Sequence, residues 1–372
     1  MKIQPFQLER YLAAHEFSAP YLLCCSDCES LSVAELLKLE PGSEEQFHTL
    51  RLGYTPSSGN VRLRSEIAKL YHQIEEKHIL VHSGAEEAIF TFMNTVLDRG
   101  DHLIVHYPAY QSLLQIAESI GCEVTRWVTR EEEGWELDLE FLRVNLRHNT
   151  KVVVINCPHN PTGYVMPRDV FESFVKLSQE HGFIIFSDEV YRFLEYDPDT
   201  ILPALSDVDD RGVSLGVISK SFGLAGLRIG WIATRNLRLL EQLATFKDYT
   251  TICNSAPSEF LAEVALRHRD TIFQRNLKIV RRNLDVLGQF FGEFQGLFNW
   301  HPPGAGPIAF PSLTDGSDSR RFCSDLVRQS GVLLLPGTLF GPEYRSNFRI
   351  GYGRVNLPEC IEKLRAYIHD LR

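Results

Sequence analysis

The feature that most constrains the fold is a regular alternation of two kinds of segment between residues 53 and 233. Short apolar runs rich in β-branched residues are separated by longer stretches whose apolar residues recur with helical spacing. This alternation is typical of an α/β fold with a mostly parallel sheet covered by helices. Strands are predicted at 79–82, 102–106, 123–127, 151–155, 183–187, 213–218 and 228–233, and helices at 61–76, 85–97, 111–119 and 168–180.

After residue 233 the pattern changes to that of a smaller α+β unit. Helical periodicity runs from 237 to 291, strand-like segments come next at 307–311, 332–335 and 348–352, and a helix closes the chain at 358–371. We therefore expect a large domain at 46–255 and a small domain formed by 1–45 and 256–372. A cleft between two such domains is the expected ligand site.

Composition restricts the possible partners. No apolar stretch is long enough to span a membrane, and the N-terminus lacks the apolar core of a signal peptide, so a cytoplasmic location is expected. A net charge of −10 with dispersed Lys and Arg argues against nucleic acid or an anionic membrane as a partner. Cys25 and Cys28 have metal-ligand spacing, but no second Cys/His pair completes a zinc site, and no metal is predicted.

Lys220 is the first candidate catalytic residue. It follows an apolar strand and precedes three glycines and Arg228. Desolvation and a nearby cation favour the neutral, nucleophilic amine of a lysine, which can form a Schiff base with an aldehyde. The same segment is equally compatible with a strand-to-loop turn that carries an exposed lysine.

Asp188 follows the apolar run 183–186 and is the second candidate. The carboxyl ends of central parallel strands are where ligands bind in open α/β sheets. A buried carboxylate there needs a cationic partner, and a protonated pyridine nitrogen would serve. The alternative is an Asp that caps the N-terminus of a helix.

Two further segments lie directly after predicted strands. Asn160, between two prolines, offers an amide that can hydrogen-bond a phenolic oxygen. Gly84, Ala85 and Glu86 open a helix whose first backbone amides would be free to bind phosphate. Taken singly, the first segment also fits an ordinary turn and the second a short loop.

In this order, the segments resemble the fold type I pyridoxal-phosphate enzymes, specifically the class I/II aminotransferases, over nearly the whole chain. The resemblance implies that Lys220 forms a Schiff base with pyridoxal 5′-phosphate and then moves a proton on the substrate. It also implies that Asp188 pairs with the pyridine nitrogen, and that Asn160 and Tyr191 bond the phenolic oxygen. Tyr110 matches the aromatic that stacks on the ring, although a core or interface tyrosine is also common.

The resemblance also assigns the phosphate contacts. They would come from the amides of Ala85 and Glu86, from Ser219 and from Arg228. Val217 stands where the family often has a hydroxyl residue three positions before the lysine. Ser219 is therefore expected to carry more of the phosphate contact.

Arg349 corresponds to the family's arginine for the substrate α-carboxylate, because a planar bidentate donor fixes the orientation of the substrate. On its own, Arg349 is equally compatible with a charge on an edge strand. Asn160 is expected to contribute to the same site. Tyr54 resembles the tyrosine that reaches the phosphate of the neighbouring subunit, which implies a homodimer.

The function implied is transamination between an L-amino acid and a 2-oxo acid. The same apparatus supports elimination, replacement or cyclisation, since fold does not determine reaction. Segments 157–163, 187–192 and 250–259 resemble a branch that includes a capreomycidine-synthase-like cyclase. A third possibility is a non-catalytic module that binds the cofactor.

Overall fold

The structure is a computed structural model that describes residues 2–370. Its strands, in chain order, are β1 (Tyr21–Leu22), β2 (Ile79–His82), β3 (His102–Tyr107), β4 (Glu123–Val128), β5 (Thr150–Asn156), β6 (Ile184–Asp188), β7 (Val213–Val217), β8 (Gly230–Ala233), β9 (Phe298–Asn299), β10 (Ile308–Ala309), β11 (Ser312–Leu313), β12 (Val332–Leu333), β13 (Leu335–Pro336) and β14 (Phe348–Gly351). The helices are α1 (Gln7–His15), α2 (Val33–Leu37), α3 (Ser43–His48), α4 (Val61–Ala68), α5 (Ala85–Val96), α6 (Ser112–Ile120), α7 (Leu139–Asn145), α8 (Arg168–His181), α9 (Leu205–Val208), α10 (Leu237–Lys247), α11 (Ala256–Arg267), α12 (Arg269–Glu293), α13 (Ser319–Ser330) and α14 (Leu357–Asp370).

A seven-stranded sheet organises the molecule, in the order β2-β8-β7-β6-β5-β3-β4. Strands β7, β6, β5, β3 and β4 run parallel, and β8 lies antiparallel between β2 and β7. The predicted α/β fold with a mostly parallel sheet is therefore confirmed. Because β5 and β6 are parallel and in register, Asn156 and Asp188 are paired at the end of the two strands.

Helices cover both faces of the sheet, which explains why its central strands are almost wholly apolar. On β5, Val152 and Val154 pack into the core that contains α5 and α6, whereas Val153 and Ile155 pack into the core that contains α8. This division results from the alternation of side chains along a strand. The strands are thereby held rigidly, and so are the side chains at their carboxyl ends.

One predicted helix is clearly shorter in the structure. The helix predicted at 61–76 ends at Ala68. Beyond it, the Asp207 carboxylate accepts hydrogen bonds from the backbone N–H groups of His72 and Gln73, at 2.9 and 2.7 Å, and holds them in a turn. The long helical segments predicted between 237 and 291 correspond to α10, α11 and all but the last two residues of α12, and Ser255 caps α11 with its side chain.

The C-terminal part contains the predicted α+β elements. Strands β10, β14 and β13 form an antiparallel sheet, and β1 pairs with β12, so the N-terminal segment joins this part of the chain. Helix α11, in contrast, packs against α4 beside the large sheet. The boundaries predicted for the two domains stay a prediction. The last helix is described to Asp370, and residue 371 lies outside the described residues.

Candidate active site

A cavity of about 380 Å³ lies at the carboxyl ends of the parallel strands. Its walls come from the ends of β5, β6 and β7, the start of α5, the Lys220 loop and, from distant parts of the chain, α1, residues 24–27, Arg349 and Arg354. The sheet edge therefore collects side chains that are far apart in sequence. Most of the residues predicted for the site lie in this cavity.

Lys220 and Asp188 line the same cavity. The Lys220 Nζ donates a hydrogen bond to Ser26 Oγ at 2.8 Å. Asp188 is 5% exposed, and its Oδ1 accepts from the backbone N–H of Val190 at 3.3 Å. Burial raises the pKa of the Asp188 carboxyl from 3.8 to about 7, although that hydrogen bond and the Lys220 charge act in the opposite direction. A cation placed against Asp188 would restore its ionised form.

A chain of hydrogen bonds fixes the wall beside Asp188. The Asn156 side chain donates to the Asp188 backbone oxygen at 2.9 Å and accepts from the Asn160 backbone N–H at 2.7 Å. Arg349 Nη1 donates to Asn160 Oδ1 at 3.1 Å, and Nη2 donates to the Cys24 carbonyl at 2.8 Å. Arg349 is 2% exposed, and its Nε has no partner among the described residues. The guanidinium is held rigidly, with one donor still to be satisfied.

The start of α5 lies against a further cation of the cavity, Arg228. A Cβ added to Gly84 would approach Arg228 Nη2 to 2.5 Å, and a Cβ added to Gly230 would lie 2.8 Å from the Ala85 nitrogen. Arg228 itself adopts a left-handed backbone conformation with φ 53°. Free helix amides and a guanidinium thus meet in a space kept open by glycines, which suits an anion. The buried Ser219 hydroxyl lines the same cavity and has no partner among residues 2–370.

Glu86 brings a carboxyl to this position. Burial raises its pKa to about 7, so its neutral form, which does not repel an anion, is accessible near neutral pH. The sequence prediction concerned only the backbone amide of Glu86.

Two tyrosines complete the cavity. Tyr191 is 1% exposed, and its hydroxyl has no partner within the described part of the chain. The Tyr110 hydroxyl donates to Glu9 Oε1 at 3.1 Å, and its ring lies 4.9 Å from the Phe6 ring, centroid to centroid. A buried hydroxyl without a partner is costly, and a ligand oxygen would satisfy that of Tyr191.

Tyr54 is the predicted site residue that the structure does not bring to the cavity. It is 93% exposed in the single chain and is absent from the cavity lining. Gly84 is also absent from the residues that line the cavity, but it lies beside Arg228, which does line it. The functional role assigned to each of these residues stays a prediction.

Several cavity residues escaped the sequence prediction: Glu9, Glu16, Ser26, Asp27, Asn156 and Arg354. Asn156 could have been found, because it ends an apolar strand as Asp188 does. The others belong to segments without a strand-end signal. Only the tertiary fold brings them to the site.

The described residues show neither a metal centre nor a membrane span. Residues 2–370 contain no group of three or more His, Cys, Asp or Glu side chains placed to bind a metal ion. Cys25 and Cys28 are buried free thiols. Within the same range, no helix combines the length and apolarity needed to cross a bilayer.

Comparison with known proteins agrees with this architecture. Capreomycidine synthase from Streptomyces vinaceus is 30% identical to this chain. The alignment covers 98% of this chain and 93% of the synthase. A solved PLP-dependent aminotransferase from Streptococcus suis 89-1591 superposes with a TM-score of 0.94 at 33% identity. The superposition covers 100% of this chain and 99% of the aminotransferase chain. The PLP-dependent cyclase OrfR superposes with a TM-score of 0.90 at 26% identity, with the same coverage.

These relationships bear out the resemblance seen in the sequence, the fold type and pyridoxal 5′-phosphate as the cofactor. They include both an aminotransferase and a cyclase, so they do not choose between the two reactions. The sequence profile of the family described as "Aminotransferase class I and II" matches residues 23–364. The chain therefore belongs to the class I and II aminotransferase family.

Proposed function

We propose that this protein is a pyridoxal-phosphate-dependent aminotransferase that transfers an amino group from an L-amino acid to a 2-oxo acid. The observation that carries the proposal is one cavity that contains a lysine amine, a buried carboxyl and an immobilised arginine, namely Lys220, Asp188 and Arg349. Each group suits a different part of the reaction. The proposal rests on the three occurring together.

The cavity fits the cofactor by its unsatisfied groups. The Ala85 and Glu86 amides, Ser219 and Arg228 would hold the phosphate. Asp188 would pair with the pyridine nitrogen, which supplies the cation that its buried carboxylate lacks.

The other polar groups suit the phenolic oxygen and the ring. The Tyr191 hydroxyl, which has no partner among the described residues, would donate to the oxygen. The Asn160 side-chain nitrogen would donate as well, since Arg349 binds the oxygen of the same amide and thereby fixes its orientation. Tyr110 would contact the ring face.

Pyridoxal phosphate, when bound, supplies an aldehyde for a lysine amine and an electron sink for negative charge at the substrate Cα. Arg349 would bind the substrate α-carboxylate, since two hydrogen bonds fix its guanidinium and its Nε lacks a partner within residues 2–370. The substrate Cα–H bond would thereby be oriented toward Lys220. Lys220 Nζ would then take the proton from Cα and deliver it to the C4′ carbon of the cofactor, acting first as general base and then as general acid.

Ser26 supports this role of Lys220. Its hydroxyl accepts from Lys220 Nζ in the present arrangement, so it holds the amine at a defined position. In the first half-reaction the amino acid leaves as a 2-oxo acid, and in the second a different 2-oxo acid takes up the amino group.

A homodimer would complete the site. Tyr54, Leu52 and Tyr249 are 93, 81 and 89% exposed, and the Thr55 hydroxyl bonds the Asn254 carbonyl at 2.9 Å, which joins their two segments. An exposed apolar surface of this kind suits burial by a second copy. Tyr54 of one chain would reach the phosphate site of the other. Analytical ultracentrifugation measures the oligomeric state. A monomeric protein with full activity would contradict the proposed homodimer.

Cyclisation or elimination is a second candidate, favoured by the similarity to capreomycidine synthase and to the cyclase OrfR. A single-turnover experiment separates the two reactions. Transamination predicts one equivalent of 2-oxo acid together with pyridoxamine phosphate. Elimination or cyclisation predicts retained pyridoxal phosphate and a substrate that has lost a substituent or closed a ring. A protein that binds the cofactor yet turns over no amino acid would favour the non-catalytic module.

A further inference from the structure

Helix α1 contributes an acidic face to the cavity. The cavity is lined by Leu8, Glu9 and Leu12 of α1 and by Glu16, which directly follows α1 with helical backbone angles, and their spacing places them along one side of the helix. The Tyr110–Gln111 segment fixes α1, because the Gln7 N–H donates to Gln111 Oε1 at 2.8 Å and Gln111 Nε2 donates to the Pro5 carbonyl at 3.0 Å. The two carboxylates are therefore part of the cavity wall.

The cations of the cavity already have partners or assignments. Arg354 forms two hydrogen bonds of 2.9 Å with the Asp27 carboxylate. Arg228 lies at the phosphate end, and Lys220 is assigned to the cofactor and the proton transfer. Arg349 is assigned to the α-carboxylate. Each cation thus has a role of its own.

The carboxylates of α1 are less well satisfied. Among the described residues, the Glu9 carboxylate accepts one hydrogen bond, from the neutral Tyr110 hydroxyl. The Glu16 carboxylate makes no hydrogen bond or ion pair with any residue in the range 2–370, although it is half-buried. Burial and the nearby Asp27 and Glu9 charges raise its pKa, and the Arg354 and Lys220 charges only partly oppose this shift. Two carboxylates that share a partly buried space favour a cation between them.

The Arg349 guanidinium is an independent sign that an anionic group binds in the same cavity. Only 2% of this residue is exposed, and its Nε has no partner among the described residues. The cavity thus offers a positive anchor at the strand ends and a negative surface on α1. A ligand that matches both ends carries a carboxylate and, at a distance from it, a positive charge.

We propose that Glu9 and Glu16 select a basic amino acid, whose side-chain ammonium or guanidinium group binds between them. This inference rests on the proposed function, because it assigns the side-chain end of the same substrate. Glu9 and Glu16 act here as specificity residues. They hold the far end of the substrate, while Lys220 acts at its Cα.

The test uses the purified holoenzyme and measures apparent dissociation constants by absorbance titration of the cofactor. L-arginine is compared with L-citrulline, which has nearly the same shape without the charge, and with L-glutamate, which has the opposite charge. L-lysine and L-ornithine distinguish an ammonium from a guanidinium. We expect arginine or lysine to bind at least about tenfold more tightly than citrulline, since a charge-assisted hydrogen bond is lost in citrulline, and glutamate to bind most weakly.

The variants Glu16→Gln and Glu9→Gln keep the size of each side chain and remove its charge. We expect each to lose about tenfold in affinity for the basic amino acid and to leave citrulline affinity unchanged, which also shows an intact site. Glu44→Gln, on the exposed surface of α3, is the matched control and should change neither value.

Two failures are distinguishable. This inference alone would be overturned by a holoenzyme that binds citrulline or glutamate with the same affinity as arginine and lysine. It would also be overturned by variants that lose affinity for all amino acids to the same extent. A protein that takes up no cofactor, or whose bound cofactor responds to no amino acid, would overturn the proposed function together with this inference.

Discussion

The Asp188→Asn substitution should remove a pH-dependent loss of stability from the cofactor-free protein. Asp188 is 5% exposed, and burial raises its carboxyl pKa from 3.8 to about 7. An acid whose pKa is raised on folding stabilises the fold fully only below its unfolded pKa, and this stability is lost as pH rises toward the folded value. At about 1.4 kcal/mol per pH unit, the complete loss is about 4 kcal/mol.

Most of this loss is accessible to measurement. Between about pH 5 and about pH 8, Asp188 alone should lower the free energy of unfolding by about 3 kcal/mol. Urea denaturation of the cofactor-free wild type and of Asp188→Asn at both pH values gives the difference, because the other titrating groups, such as Glu86, are common to both proteins. If the free energy of unfolding depends on pH equally in the two proteins, Asp188 is not a buried carboxyl with a raised pKa. Added pyridoxal phosphate should reduce the wild-type loss, since the pyridine nitrogen supplies a cation.

Three further substitutions test separate parts of the site and fold. Gly84→Ala should weaken cofactor binding at least about tenfold in a fluorescence titration, because its φ is +89° and the new Cβ would lie 2.5 Å from Arg228 Nη2; unchanged affinity would remove the phosphate assignment. Arg349→Lys should raise the apparent dissociation constant of amino acids by about 10- to 100-fold while cofactor affinity stays the same, and a proportional loss of both would indicate damage to the fold. Leu63→Ala removes a side chain that is 0% exposed, so urea denaturation should show a loss of about 2–5 kcal/mol; a loss below about 1 kcal/mol would contradict its place in the core.

Much of the large sheet could be predicted because its strands are defined locally. The strand predicted at 79–82 has the same bounds in the structure, and the one predicted at 102–106 gains only Tyr107. A buried strand of this sheet is a short apolar run, and such runs are visible in one sequence. Residues at the ends of these runs, such as Asp188, could be assigned to the site for the same reason.

Features that depend on distant contacts could not be predicted. The helix that begins at Val61 ends early because Asp207, far along the chain, binds two backbone amides of the next turn. Glu9 and Glu16 reach the cavity because the Tyr110–Gln111 segment and apolar packing of Leu8 hold α1 in place. Glu16 and a solvated surface glutamate look the same in the sequence. Their difference arises from packing.

The most direct test of the central claim is borohydride reduction of the purified protein, saturated with pyridoxal phosphate, and then peptide mass mapping. We predict a yellow protein that loses its colour on reduction and carries one phosphopyridoxyl group on Lys220, and a Lys220→Ala variant that binds the cofactor without this covalent link. A reduced adduct on another lysine, or a wild-type protein with no adduct, would contradict the assignment of Lys220.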